Sequence, residues 1–515
     1  MKQINIKNKL YLLLTLLFCI CLQATETTQL NTKPTSIETF SDLDNQLTQQ
    51  AFNDFELDSS MRRPTPHHAK PQKPKPNGVG SSHMTTPQNM FESQQNASGS
   101  FDLSFGAGGG YVIETMGFKS APRAVTVQKD NKIVVAGIRD DYPLLVRYTD
   151  NGELDKNFGV GTYGPGVTIQ TSLGKNSWFN AVAIQAHCCD QKIVAVGSAA
   201  GKGIVARYHE GGTLDTTFVD KGILRTNIDG EFNAVAIQKD HKIVAAGYKK
   251  INTGDTQIIV VRYNEDGSID TSFGTPFGTP GIAVTYVGRL VRAHAIAIQE
   301  DHKIVVVGSV NAGHQHNIVI VRYHEDGTLD KNFGLDKSGV ITLNNVGKNS
   351  SIAYDVVVQK NGNIVVVGSS ISQNDKSQFT IIRLQEDGLR DTSFGTDGVI
   401  AIIPTIIGHP NDNAYARSVA LDNDENIIVM GSTITTTNDN YFSLVRYNKN
   451  ASLDTIFGNQ GIQNSLLTLN NKPNKITIPA IGSIQQDKKK LIVVSMYSDI
   501  VSPTSGLMAV ARYHN

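Results

Sequence analysis

The sequence has little of what marks most functional classes. Its 47 basic and 47 acidic side chains cancel, so there is no electrostatic case for a nucleic-acid partner. Four cysteines in 515 residues exclude a disulfide framework. Cys19 and Cys21 fall in an N-terminal apolar segment. That leaves the adjacent Cys188 and Cys189, two incidental thiols in a turn or, in an oxidising compartment, a vicinal disulfide. Aromatic residues make up 7%, with a single tryptophan, Trp178. Past residue 24 no apolar run is long enough to span a bilayer. The chain has no Gly-rich phosphate loop between a strand and a helix, no Gly-x-Ser-x-Gly elbow and no His-Glu-x-x-His pair. Carboxylates are not paired at any non-repeating position. No catalytic residue, resident metal or cofactor is therefore assigned.

What is present is repetition. Residues 318–334, IVIVRYHEDGTLDKNFG, return with small changes over most of the chain. The strand-end arginine stands at Arg147, Arg207, Arg262, Arg322, Arg383, Arg446 and Arg512. Eight residues after each of the first six comes Asp155, Asp215, Asp270, Asp330, Asp391 or Asp454, and three further on a phenylalanine, Phe158 to Phe457. The chain stops just after Arg512, and the missing piece stands at the other end, where Asp102 and Phe105 have no arginine strand before them. The array thus closes cyclically in sequence phase.

Each period carries four short runs rich in Val and Ile, bounded by Gly, Asn and Asp; after Phe333 these are 340–344, 354–359, 363–368 and 379–384. Such runs are strands, and the third, apolar on both faces, is buried between layers. The expectation is an all-β fold, a seven-bladed β-propeller of four-stranded antiparallel blades over residues 96–515. An open β-solenoid is the runner-up.

Residues 1–24 read as a signal peptide: Lys2, Lys7 and Lys9, then an apolar core at 10–22, then Ala24. Export to the periplasm or beyond is expected. Residues 25–95 read as a polar, mostly disordered leader with a Pro- and Lys-rich linker. Phe40, Leu43, Leu47, Ala51 and Phe55 form an amphipathic stripe in it.

A residue present in every copy serves the copy, whereas a single site breaks the repeat. The arginines therefore pair with the aspartates of their own connectors, and Arg512 with Asp102. The Asp-Gly segments resemble calcium loops but lack the closing acid and read as plain turns. Two sets of loops vary in length: 171–179, 287–294 and 404–415, and 248–257, 309–317, 369–378, 432–441 and 496–506. In an up-and-down meander both sets emerge on one face, where a binding site is expected. Its candidates are Trp178, Arg289, Arg292, His314, His316 and His409. His314 and His316 would need a third ligand to hold zinc, and none is identifiable.

The units Arg-Tyr-x-x-Asp-Gly-x-Leu-Asp-x-x-Phe-Gly and AIQEDHKIVVVG (297–308) resemble the bacterial delta-60 repeat. The resemblance covers about residues 100–515. It implies an exported, propeller-like protein and brings no catalytic residues. The last copy departs from it, with Ser495 in place of the third-run glycine. The function expected is a monomeric, non-enzymatic binding module for a protein or a surface glycan. A hydrolase or lyase at the channel mouth, or a structural envelope component, are the alternatives.

Overall fold

The computed structural model describes residues 97–515 except 116–119, 160–163, 187–189, 275–277, 314, 345, 407–411, 438, 467, 470–471, 474–483, 488–489 and 499–505. The expected signal peptide and leader, and the Cys188–Cys189 pair, lie outside the described residues. Among the described residues no helix is long and apolar enough to cross a membrane.

The chain is all β and antiparallel, and it is a β-propeller. In a typical repeat an inner strand, Arg292–Ile298, is followed outward by Ile304–Asn311, His316–Tyr323 and Val340–Leu343. The second and third strands are buried on both faces because they are Val/Ile runs between adjacent sheets. Each inner strand packs against the next. Closure is covalently out of order: Tyr111–Thr115 pairs with Gly506–His514, joining the two ends of the array in one sheet.

The expectation of seven four-stranded blades is corrected. Among the described residues the structure has five four-stranded blades, and the strands from Ser177–Ala186 to Ile282–Thr285 merge into one seven-stranded sheet. The reason lies in the connector. Phe218 and Asn233 are closer in sequence than any other such pair, so no residues remain for a loop. The outer strand of one repeat runs straight into the inner strand of the next as Ile223–Ile237, bending near Gly230, whose φ is 152°.

The repeated arginines are buried, and each bonds an aspartate. Nε of Arg322 donates to Asp330 Oδ2 at 2.9 Å, with relative exposures of 3% and 1%. The equivalent bonds are 2.9 Å for Arg147–Asp155, 2.8 Å for Arg207–Asp215, Arg262–Asp270 and Arg383–Asp391, and 2.7 Å for Arg446–Asp454. Arg512 reaches Asp102 at 2.6 Å across the chain ends. The sequence had no means of showing what each Nη1 does. In six of the seven it donates to a main-chain oxygen in the turn of the following repeat: Arg147 to Glu210, Arg207 to Glu265, Arg262 to Glu325, Arg322 to Glu386, Arg383 to Lys449, and Arg512 to Asp150. Arg446 donates instead to Asn515 Oδ1 at 3.1 Å. Each guanidinium also lies over the Phe of its own motif, as Arg322 does over Phe333 with Cζ 4.3 Å from the ring centroid.

Two stability predictions follow from this network. Arg322→Met leaves Asp330 a buried, unpaired charge and should lower unfolding free energy by about 3–5 kcal/mol in urea titrations. The second concerns acid. Burial pushes the Asp102, Asp215, Asp270 and Asp391 carboxyls up, but hydrogen bonds from Ser or Thr two residues on, with the paired arginine and in some copies a lysine, hold them below the usual range. A depressed folded pKa gives stability that is full above the unfolded value, near pH 4, and is lost as pH falls through the folded one. Melting temperature should therefore hold down to about pH 4 and drop steeply below it, and Asp270→Asn should flatten part of that drop.

Candidate functional site: a ring of bulged side chains

In the inner strands from Ser120–Val127 to Asn413–Leu421 the register slips by one residue. The slips fall between Pro122 and Ala124, Phe179 and Ala181, Ala293 and Ala295, Ala353 and Asp355, and Ala416 and Ser418. In the shared strand, Phe232 and Ala234 face consecutive residues of the partner. The residues left over are Arg123, Asn180, Asn233, His294, Tyr354 and Arg417. A β-bulge leaves its extra residue unpaired in the ladder and re-aims its side chain. All six are half-buried among mostly buried neighbours.

The bulge explains the repeated glycine of the second strand. A Cβ on Gly137, Gly197, Gly247, Gly308, Gly368 or Gly431 would sit 1.8–2.1 Å from the carbonyl oxygen two residues before the bulged one. Only glycine lets the bulge close on the second strand. Ser495 holds this register position in the last copy, and there the inner strand is described only over Ile484–Asp487.

The six residues follow one another around the propeller, and most of them touch the next repeat. Arg123 Nη1 donates to Asn180 Oδ1 at 2.6 Å. Asn180 Nδ2 donates to Phe232 O at 3.0 Å and Asn233 Oδ1 at 3.1 Å. Asn233 Nδ2 donates to Ala293 O at 2.8 Å. The His294 and Tyr354 rings are 5.7 Å apart, and Arg417 Cζ stands 4.2 Å from the Tyr354 centroid. Beside Tyr354, Asp355 Oδ2 accepts from Ser418 Oγ at 2.6 Å and Val419 N at 3.0 Å, clamping two inner strands. Burial pushes the Asp355 carboxyl up despite these bonds.

Two residues before the bulge lies a second layer, toward the variable-loop end: Trp178, Glu231 and Arg292 in three successive repeats, against buried Ala121, Ile352 and Tyr415 elsewhere. The Arg123 guanidinium lies 5.3 Å from the Trp178 ring centroid, and Arg292 5.0 Å from that of Tyr248. The Tyr248 hydroxyl donates to Glu231 at 3.1 Å. Burial pushes the Arg123 guanidinium down, and the Glu231 charge opposes that.

Of the sequence candidates, Trp178 and Arg292 thus come to equivalent positions at the mouth of this ring. Arg289 sits further out in a loop, exposed, with its Nε 3.0 Å from Asp255. His316 is a buried strand residue, 6% exposed. His314 and His409 lie outside the described residues. Among the described residues no group of three or more His, Cys, Asp or Glu is placed to hold a metal ion. The bulged residues themselves were not singled out. The signal was present: five residues before the turn glutamine, or Asp422, an otherwise repetitive frame reads Arg, Asn, Asn, His, Tyr, Arg.

The comparisons with known proteins bear on the frame. A family model described as "Domain of unknown function (DUF5122) beta-propeller" matches residues 128–158, 190–218, 238–273, 299–333 and 359–394. The matched segments end on the motif phenylalanines, and the bulged residues fall outside all of them. A search of curated proteins finds no match. Among solved structures, Sqt1 from Chaetomium thermophilum is 13% identical, over 78% of this chain and 91% of that chain, with a TM-score of 0.41. The polysaccharide lyase Uly1 is 12% identical, over 76% and 89%, with a TM-score of 0.41. Prolyl oligopeptidase B from Galerina marginata is 12% identical, over 83% and 50%, also at 0.41.

The bulge account is checked by Gly308→Ala. It should destabilise the protein by about 1–3 kcal/mol in urea titrations, because the new methyl group must displace the Arg292 carbonyl. Gly211→Ala, where the added atom meets nothing within 4 Å, should change stability by no more than about 0.5 kcal/mol.

Proposed function

We propose that this propeller is an exported, monomeric, non-enzymatic binding module of the delta-60 repeat type. It takes a glycan or protein ligand at the axial end where Trp178 and Arg292 stand. One observation carries the reading: the chain holds its frame nearly constant from repeat to repeat, yet places polar side chains of four kinds, Arg, Asn, His and Tyr, at the six described bulges. A purely structural position would repeat, as the arginines and aspartates do. The two variable loop sets support the same end, because the inner strand enters beside the second-to-third strand hairpin; Arg292 is paired with Ser309 and Asn311 with His316. The basic and apolar segment at 1–24 supports export.

One observation favours an enzyme. His294 Nε2 is 3.1 Å from Ser309 Oγ, the spacing of a nucleophile and its base. Ser198, Ser369 and Ser432, however, follow the same glycine in other repeats, which makes Ser309 part of the frame.

The test is binding of the full chain to immobilised panels of glycans and of peptides. Trp178→Ala should weaken the strongest ligand at least tenfold, since truncating a central anchor typically costs about 2 kcal/mol or more. Lys360→Ala, on the Asp-Gly turn face, should leave it unchanged. Equal binding by wild type and Trp178→Ala would sink the proposal. Ser309→Ala should abolish turnover of any hydrolysed ligand if the enzyme reading holds.

A further inference from the structure

Some polar groups of the ring are satisfied within the protein and some are not. On the Tyr354 side, Asp355 has three donors, two of them from the neighbouring strand. On the Arg123 side, two buried donors have no acceptor: Arg123 Nε and Trp178 Nε1. They belong to side chains stacked on each other. A buried donor without an acceptor costs roughly 1–3 kcal/mol, more when charged, and such a group calls for an explanation. The surrounding charge is cationic. Arg123 and Arg292 stand against Glu231.

We propose that the mouth beside Arg123 and Trp178 binds the carboxylate of an acidic saccharide, the guanidinium and indole N–H groups donating to its oxygens. This rests on the binding reading above and narrows its ligand. A planar carboxylate matches the two-donor edge of a guanidinium better than a neutral hydroxyl does. The amides of Asn180 and Asn233 offer donors and acceptors for sugar hydroxyls. A peptide is disfavoured because protein interfaces need apolar anchors. Of the exposed large apolar side chains, only Tyr286 and Leu290 lie in a loop that leads into an inner strand, and the others sit in the Leu-Asp and Phe-Gly connectors.

The experiment titrates the full chain by calorimetry with oligogalacturonate, with the matching neutral galacto-oligosaccharide and with an acidic peptide. Oligogalacturonate should bind at least tenfold tighter than the neutral sugar, and the preference should shrink with added salt. Arg123→Gln should erase the preference, and Trp178→Phe, which keeps the ring and loses the N–H, should reduce it severalfold. Should Arg123→Gln not fold, Glu231→Gln serves instead: removing the competing carboxylate should strengthen oligogalacturonate binding. Equal binding of the two sugars would overturn this proposal and leave the binding reading standing. Tighter binding of the acidic peptide would overturn the saccharide and leave the anion site. If no probe binds, and the glycan and peptide panels are also empty, both fall together.

Discussion

The structure depends on a charge that must be compensated twice. Each repeated guanidinium is buried, and a buried cation is tolerated only when paired and hydrogen-bonded. Its aspartate comes from the connector of its own repeat. In six of the seven a further bond goes to a main-chain oxygen of the next repeat, so those repeats do not satisfy their arginine alone. Arg512 shows the consequence: its carboxylate partner, Asp102, is 410 residues away in the chain. Closure of the propeller is therefore the condition under which the last arginine is neutralised, and not an independent event. The phenylalanine beneath the guanidinium ties the same joint from the other side. The turn glycine of the next repeat lies against that ring, so that a Cβ on Gly388 would stand 2.6 Å from Phe333. Charge, ring and turn form one interlock per repeat, and sheet packing follows from it.

A second device separates frame from site. The glycine of the second strand admits a bulge in the inner strand, and the bulge releases one side chain per repeat from the ladder. The released position carries no burden of register or core packing. It is therefore free to differ while its neighbours repeat. Arginine, asparagine and histidine occur there ahead of the same small residue, Ala124, Ala181, Ala234 and Ala295. The exception is instructive. In two repeats the alanine after the bulge becomes Asp355 and Ser418, and these two bond to each other.

The fold class was legible because period, turn chemistry and cyclic phase all pointed the same way. The arginine–aspartate pairs were legible for a simpler reason: their eight-residue spacing spans one tight connector. The division into sheets was not. Counting arginines counts repeats, but whether two neighbouring sheets stay separate depends on connector length, and only the stretch from Phe218 to Asn233 is too short. The bonds from each arginine to the next turn were invisible because their acceptor is main chain, which carries no sequence signature. At the site, Trp178 was found as the lone tryptophan and Arg292 as a loop-end cation. The bulged residues were passed over because attention to recurring residues hides a position defined by failing to recur. His316 was misplaced by treating a loop as longer than it is: the strand already begins there, and the imidazole is buried.

The ring leaves some of its buried donors without acceptors, and that is what distinguishes a site from a plug. A side-chain ring whose only task was to fill the propeller's axis would satisfy its polar groups internally, as Asp355 and Ser418 do for each other. The sector from Arg123 to Arg292 leaves donors without acceptors and sets cations close to a single carboxylate. Its aromatic rings already carry a guanidinium on one face, which pre-positions the cations and limits the side-chain entropy that binding would otherwise cost. Glu231 then has a definite role. It offsets Arg123 while no ligand is present, and it holds the hydroxyl of Tyr248, over which Arg292 lies. A carboxylate that stabilises the empty mouth competes with any anion that fills it. Selectivity at such a mouth rests on which oxyanion can satisfy both unpaired donors, since charge alone is already partly answered.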